Sequence, residues 1–339
     1  MLRLQAYTSD LPFHDPFTIA KGTKTHQPAL ITSLGFGKLN GWGEAPAISY
    51  YQVTVADMLQ SLDQVRPSIE RYSLTDPYRF WHFLHHLIPG QEFLTAALDI
   101  AAWDLFAQLR KQALFEALGY PAPGRQMCDY TIGLDTPENM LRKMQEHPYG
   151  TYKIKLRQAS DMDLLRMLRE HTHAAFRIDI NEGWNYEDTL RLLPELKKLG
   201  VFLLEQPLPK NQWEEMKALK EQSDLLLFAD EACVIPSDVR RCADSFHGIN
   251  IKLVKCGGLT PAMEMIHQAK SLGLKVMLGS MNESSIGSAA ILHLGAKADF
   301  LDVDGPLLLA RDLASGLNYD SDGYVSLGPG NGLGLRINL

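Results

Sequence analysis

From about residue 127 to residue 303 the chain repeats one unit, a short apolar run followed by an amphipathic stretch, and few folds accommodate that pattern. The apolar runs are Met127–Ile132, Thr151–Leu156, Phe176–Ile180, Val201–Glu205, Leu225–Asp230, Ile249–Val254, Lys275–Gly279 and Phe300–Val303. A helix of roughly ten residues fits between each successive pair. One of these carries Leu259, Ala262, Met263, Ile266 and Ala269 on a single face. Eight such units in about 180 residues predict a parallel barrel. The alternative is a doubly wound sheet, which normally carries a glycine-rich phosphate loop after its first strand. Gly133-Leu134-Asp135-Thr136-Pro137 matches such a loop poorly.

Upstream the pattern differs. Residues 1–57 read as strands and 54–118 as helices, an α+β order. Leu94, Ala97, Leu98, Ala101, Leu105 and Leu109 recur at spacings of three and four, which predicts one buried helical face. Turn-forming residues cluster at Gly119-Tyr120-Pro121-Ala122-Pro123-Gly124 and mark a seam.

Polar residues recur at the C-terminal ends of the apolar runs: Lys153 and Lys155, Asp179, Glu205, Asp230, Lys252, Ser280, and Asp302 with Asp304. From Lys155 to Asp302 the steps are 24, 26, 25, 22, 28 and 22 residues, one unit each time. In a barrel these ends converge on one mouth, where barrel active sites lie. Asp179, Glu205 and Asp230 come from neighbouring strands without histidine or cysteine company, which suits a hard divalent cation such as Mg²⁺. Ion pairing with nearby lysines is the alternative. Lys153 and Lys155, two apart on a strand, share a face, and Lys252 lies four units on. A lysine whose pKa is pulled down by burial and neighbouring cations can act as a base. Two lysines flanking a metal can remove a proton α to a carboxylate, with Lys153 stabilising the resulting enediolate and Lys155 and Lys252 exchanging protons on its two faces. A Schiff-base role for either lysine ranks lower, because it needs no three carboxylates.

Other features carry less. His82, His85 and His86 have metal-like helical spacing but no barrel carboxylate near in sequence, and read as a surface face. Cys256-Gly257-Gly258 reads as a tight turn, and Gly328-Pro329-Gly330-Asn331-Gly332-Leu333-Gly334 as a C-terminal loop returning to the first domain. The net charge of −7 argues against non-specific nucleic-acid binding. No apolar run reaches the roughly 20 residues of a membrane span. Four cysteines without CxxC pairing, and an N-terminus without a signal peptide's apolar core, predict reduced thiols and a cytoplasmic protein.

Taken together, Lys153-Ile154-Lys155, Asp179-Ile180-Asn181, Glu205-Gln206-Pro207, Ala229-Asp230-Glu231 and Asn250-Ile251-Lys252-Leu253 resemble the enolase superfamily in its muconate-lactonizing subgroup. Gly41-Trp42-Gly43-Glu44-Ala45 and Ala97-Leu98-Asp99-Ile100-Ala101-Ala102-Trp103-Asp104 are similar to that family's capping-domain signatures. The resemblance covers nearly the whole chain. It implies a modified TIM-type (β/α)7β barrel at 121–309, an α+β capping domain at 1–120 completed by 310–339, and one Mg²⁺ per subunit. A homo-oligomer is a further family-level expectation. Asp302-Val303-Asp304-Gly305-Pro306 resembles the DxD motif of dipeptide epimerases, whose pair holds the substrate's ammonium. The resemblance therefore implies 1,1-proton transfer at the C-terminal α-carbon of a dipeptide. A cycloisomerase or o-succinylbenzoate synthase on the same barrel, and a non-catalytic peptide-binding barrel, are the alternatives. Phe17-Thr18-Ile19-Ala20-Lys21-Gly22-Thr23-Lys24 resembles the mobile specificity loop, and Ser49-Tyr50-Tyr51 the second capping loop. Epimerases for L-Ala-D/L-Glu carry an arginine near the Lys24 position. Lysine there still attracts a carboxylate, which points to Ala-Glu-like dipeptides such as those released from murein. Lys24, Tyr51, Ser280, Asp302 and Asp304 are thus the expected substrate contacts. Lys21, His26 and the Tyr50-Tyr51 loop are alternative sources of side-chain selectivity.

Overall fold

The structure, a computed structural model, describes residues 1–19 and 22–339. Ala20 and Lys21, inside the expected specificity loop, lie outside the described residues.

All eight apolar runs contribute to one parallel sheet. Its strands are Tyr130–Ile132, Thr151–Lys155, Ala175–Asp179, Val201–Glu205, Leu226–Ala229, Gly248–Ile251, Lys275–Gly279 and Phe300–Asp302, paired in chain order. A parallel bridge between Cys128 and Leu301 brings the last strand back to the first. The result is a barrel, not an open doubly wound sheet. Alternation along each strand sends one set of side chains outward into the shell of helices and the other inward. Leu203, Phe228 and Met277 fill the interior as an apolar floor. The sixth strand is shorter than its apolar run: Leu253–Cys256 forms a helical turn, closed by Gly257 at φ 97°.

The first 119 residues hold a three-stranded antiparallel sheet, Arg3–Ile19, Gly22–Phe36 and Leu39–Pro46, followed by helices Val55–Arg71, Pro77–Leu87 and Glu92–Leu109. The last of these is buried on nearly every side, and Leu109 is exposed, so the expectation of one apolar face is corrected. The cause is a strand on one flank and the barrel on the other. Strand and helix touch backbone to backbone. A Cβ on Gly43 would lie 1.9 Å from Ala97 O, and one on Gly41 2.1 Å from Ala101 O.

Three buried carboxylates stitch this unit to the rest. Asp99 accepts from Thr260 N (3.0 Å) and Oγ1 (2.8 Å). Asp104 accepts from Trp42 N and from Leu333 N in the glycine-rich C-terminal loop. Glu44 accepts from Ser284 N, Ser284 Oγ and Gly287 N at the start of the helix Ser285–Leu292. Such anchoring suits an anionic group, because the first N–H groups of a helix have no partners within it. The C-terminal segment adds Leu317–Tyr319, which pairs with Tyr324–Leu327, and the latter pairs in turn with Gln126–Met127. His82, His85 and His86 lie exposed on one helix. The four cysteines are buried free thiols, and burial pushes Cys256 up to about 12, which leaves it no nucleophile. No helix among the described residues is long and apolar enough to cross a membrane.

Beside Glu44, Glu283 is wholly buried, and its Oε2 accepts no hydrogen bond among the described residues. Burial, then the Glu44 charge, raise its carboxyl to about 8. Its contribution to stability is present below about pH 4.5 and is lost as pH rises through about 8. Glu283→Gln removes that dependence. Thermal melts should show a gap between pH 5 and pH 9 that is smaller by a few degrees in the variant, and an unchanged gap would refute the assignment.

Candidate active site

Inward-facing positions near the strand ends meet at one mouth of the barrel. Lys153 is at their centre. Its Nζ lies 2.6 Å from Asp302 Oδ2, 2.8 Å from Glu205 Oε2 and 3.1 Å from Asp179 Oδ2. Lys155 Nζ donates to Asp179 Oδ2 at 2.5 Å. Four strands away, Lys252 Nζ donates to Asp230 Oδ2 at 2.9 Å. Ile154 and Leu156 pack outward into the core, as alternation requires. The nine strand-end side chains expected at the mouth, Ser280 and Asp304 included, are therefore brought together.

The electrostatics differ from expectation at the lysines. Burial lowers a lysine's pKa, but the carboxylates of Asp302, Glu205 and Asp179 outweigh it and hold Lys153 well above its ordinary value. Asp230 does the same for Lys252. At Lys153 and Lys252 the shift is thus upward and not downward, because these two ammonium groups face carboxylates more closely than other cations. The carboxylates respond in kind. Against burial, Lys155 and Lys153 hold Asp179 at about 2, and Lys252 with Lys255 hold Asp230 below the usual carboxylate range. Glu205 is raised, by burial and then by Asp179.

Asp179 and Glu205 are fully buried, and Asp230 nearly so. Among the described residues no three acidic, histidine or cysteine side chains form a ready cage, since their oxygens are turned toward lysines. The donor chemistry nevertheless fits Mg²⁺: hard carboxylate oxygens from three adjacent strands, with Glu205 Oε2 buried and, among the described residues, accepting no hydrogen bond despite the nearby Lys153 charge.

Asp302 and Asp304 differ in environment. Lys153 outweighs burial and keeps Asp302 low. Asp304 accepts from Thr131 N at 2.6 Å, yet burial and the Asp302 charge raise it to about 6. Above them lies a cavity between the barrel and the capping unit. The barrel side presents Thr131, Lys153, Lys155, Lys252, Ser280, Asp302 and Asp304, and the capping side Phe17, Ile19, Lys24, Ile48, Tyr50 and Tyr51. Lys24 is half-buried, donates to Gln27 Oε1 at 3.2 Å, and burial lowers its pKa. Among the described residues no carboxylate pairs with it. His26 is exposed and does not line the cavity. Tyr50 Oη donates to Glu182 Oε2 at 2.9 Å and ties the capping loop to the barrel.

Two groups escaped the sequence reading. Thr131 lines the cavity on the first strand, where no charge drew attention. Lys255 is fully buried and donates to Asp230 Oδ1, Asp230 O and Cys233 O. A strand through Val254 implies an extended chain, in which a residue three beyond Lys252 faces away from it. The helical turn instead brings both to one carboxylate.

Comparison with known proteins places this geometry. Residues 3–119 match the mandelate racemase/muconate lactonizing enzyme N-terminal domain, and residues 135–339 the enolase C-terminal domain-like family. The L-Ala-D/L-amino acid epimerase of Flavobacterium johnsoniae is 44% identical over 97% of both chains. The substrate-liganded L-Ala-D/L-Glu epimerase of Bacillus subtilis superposes with a TM-score of 0.93 at 26% identity, covering 99% of each chain. The dipeptide epimerase of Methylococcus capsulatus, complexed with Mg and L-Arg-D-Lys, superposes with a TM-score of 0.92 at 30% identity over 98% of each.

The carboxylates lie at the mouth and not in the apolar floor. Asp179→Asn, Glu205→Gln and Asp230→Asn should each cut turnover by at least about 100-fold, the scale of losing a strong electrostatic contact, with little loss of fold by circular dichroism. Chelation should abolish activity and added Mg²⁺ restore it. Unfolded variants that keep full activity per folded molecule would show the three to be structural.

Proposed function

The chain belongs to the mandelate racemase/muconate lactonizing enzyme family of the enolase superfamily, and we propose that within it the chain inverts the C-terminal α-carbon of dipeptides by 1,1-proton transfer. One observation carries this reading: Lys155 and Lys252 flank one cavity that also holds the Asp302–Asp304 pair.

Asp302 and Asp304 take the substrate's ammonium, a cation matched to two carboxylates. That contact fixes the N-terminal end, so the C-terminal α-carbon falls between the two lysines. One lysine, as the free amine, takes the α-proton, and the C–H electron pair moves into the substrate's carboxylate. The ammonium on the other side returns a proton to the opposite face, and the configuration inverts. Lys153 holds positive charge beside the carboxylate where negative charge develops. Asp179, Glu205 and Asp230 would hold Mg²⁺, which would supply Lewis-acid charge that acidifies the α-carbon and would draw these carboxylates from the lysines. Phe17, Ile19 and Ile48 give the capping side of the cavity an apolar lining.

Lys24 belongs to the capping side and faces the dipeptide's C-terminal side chain. A carboxylate there gains one partly exposed ion pair, about 1–2 kcal/mol, or roughly a five- to thirtyfold preference. Ala-Glu-like dipeptides are accordingly favoured. Four buried free thiols support a cytoplasmic home, and the family supports a homo-oligomer.

In D₂O with Mg²⁺, NMR should show loss of the C-terminal α-proton of L-Ala-L-Glu together with appearance of the L,D form. No exchange into any dipeptide would refute the reading. Asp304 titrates near 6 and binds the ammonium as the anion, so KM should rise as pH falls below about 6, and Asp304→Asn should raise KM at every pH. Lys24→Ala should lower kcat/KM for Ala-Glu roughly five- to thirtyfold relative to Ala-Leu. A change below twofold would place Lys24 outside the side-chain pocket.

A further inference from the structure

The sixth strand sends Gly248, Asn250 and Lys252 into the barrel. Gly248 has no side chain and Lys252 reaches the mouth, but Asn250 has been given no task. It is wholly buried, and a primary amide in that setting is costly unless it is bonded. Its Nδ2 donates to Glu205 Oε1 at 2.8 Å. Its Oδ1 accepts no hydrogen bond among the described residues. The chain therefore bears one unsatisfied buried acceptor in order to keep a single donor on Glu205.

The neighbouring strand is shaped for the same purpose. A Cβ on Gly279 would stand 2.5 Å from Asn250 Oδ1 and 2.9 Å from Nδ2. The amide thus occupies the volume that any side chain at 279 would need. Gly279 also immediately precedes Ser280, which lines the cavity. Glu205 is held asymmetrically as a result. Oε1 is tied by the amide, while Oε2 accepts no hydrogen bond and faces the interior charge.

We infer that Asn250 is a positioning residue for the reaction: seated in the space Gly279 leaves, its amide fixes Glu205 so that Oε2 is presented to the divalent cation. The inference rests on Glu205 being a cation ligand, as read above. Apolar truncation of such a supporting partner typically costs ten- to a hundredfold in metal affinity. Gly279 acts in the same way without touching Glu205, since a methyl there displaces the amide.

The test is calorimetric titration of the metal-stripped protein with Mg²⁺, with Mn²⁺ as a second probe, alongside circular dichroism and steady-state kinetics. Asn250→Leu keeps the volume and removes the donor. It should weaken Mg²⁺ binding ten- to a hundredfold, with the fold retained. Saturating Mg²⁺ should restore most of its kcat, which a general structural defect would not allow. Gly279→Ala should reproduce the loss with Asn250 intact, and it keeps the proposal testable if Asn250→Leu does not fold. Mg²⁺ affinity within twofold of wild type in a folded variant overturns the inference. Glu205→Gln separates the premise from the inference. If it binds Mg²⁺ like wild type, the ligand reading fails. If it loses Mg²⁺ while Asn250→Leu and Gly279→Ala do not, only the positioning role fails.

Discussion

A buried charge survives only in company, and Lys153 is the case on which this molecule depends. An ammonium placed among side chains that exclude water would lose several kcal/mol of hydration without partners. Here three carboxylates from three different strands converge on it. Asp179 is shared in turn with Lys155, and the neighbouring Asp230 is held by Lys252 and Lys255. The barrel mouth is thus one mutually compensating set of opposite charges. A shift of any strand by one residue would turn its member of the set into the outer apolar shell and leave the others unpaired. The register of the barrel and the chemistry of the site are the same constraint.

Much of this was legible in the sequence because strand alternation is a strict rule. The eight apolar runs, the shared face of Lys153 and Lys155, and the step of one unit between polar strand ends all follow from a period of two and a fixed unit length. Three things were not legible. The periodicity of Leu94 to Leu105 shows that one face is buried but does not show that the opposite face is buried too, which depends on a distant barrel. Lys255 was hidden by a strand that ends three residues early. The direction of the lysine pKa shifts follows from which oxygen each ammonium faces, and sequence spacing gives neighbours without distances.

The signatures of the first domain gain a physical meaning from the structure. Gly41 and Gly43 are there because a strand and a helix meet with no room for a Cβ. Glu44, Asp99 and Asp104 accept from neutral donors across a boundary and have no cationic partner among the described residues. Burial raises Asp99 to about 7 and Asp104 to about 6. Such groups cost free energy to bury, so their benefit is geometric. They set where the capping unit sits and thereby where its loops meet the mouth.

Lys24 and the reacting groups lie on separate parts of the chain, one on an antiparallel hairpin and the others on the barrel strands. The bond-making machinery is locked by mutual charge compensation and tolerates little change. The hairpin residue is half-buried and shares a hydrogen bond with one neutral amide, so replacing it disturbs nothing beneath. Under the role proposed for Lys24, selection on a duplicated copy of this gene redirects which molecules are accepted while leaving the barrel's charge network intact, and a protein engineer can do the same from a small library at a few hairpin codons.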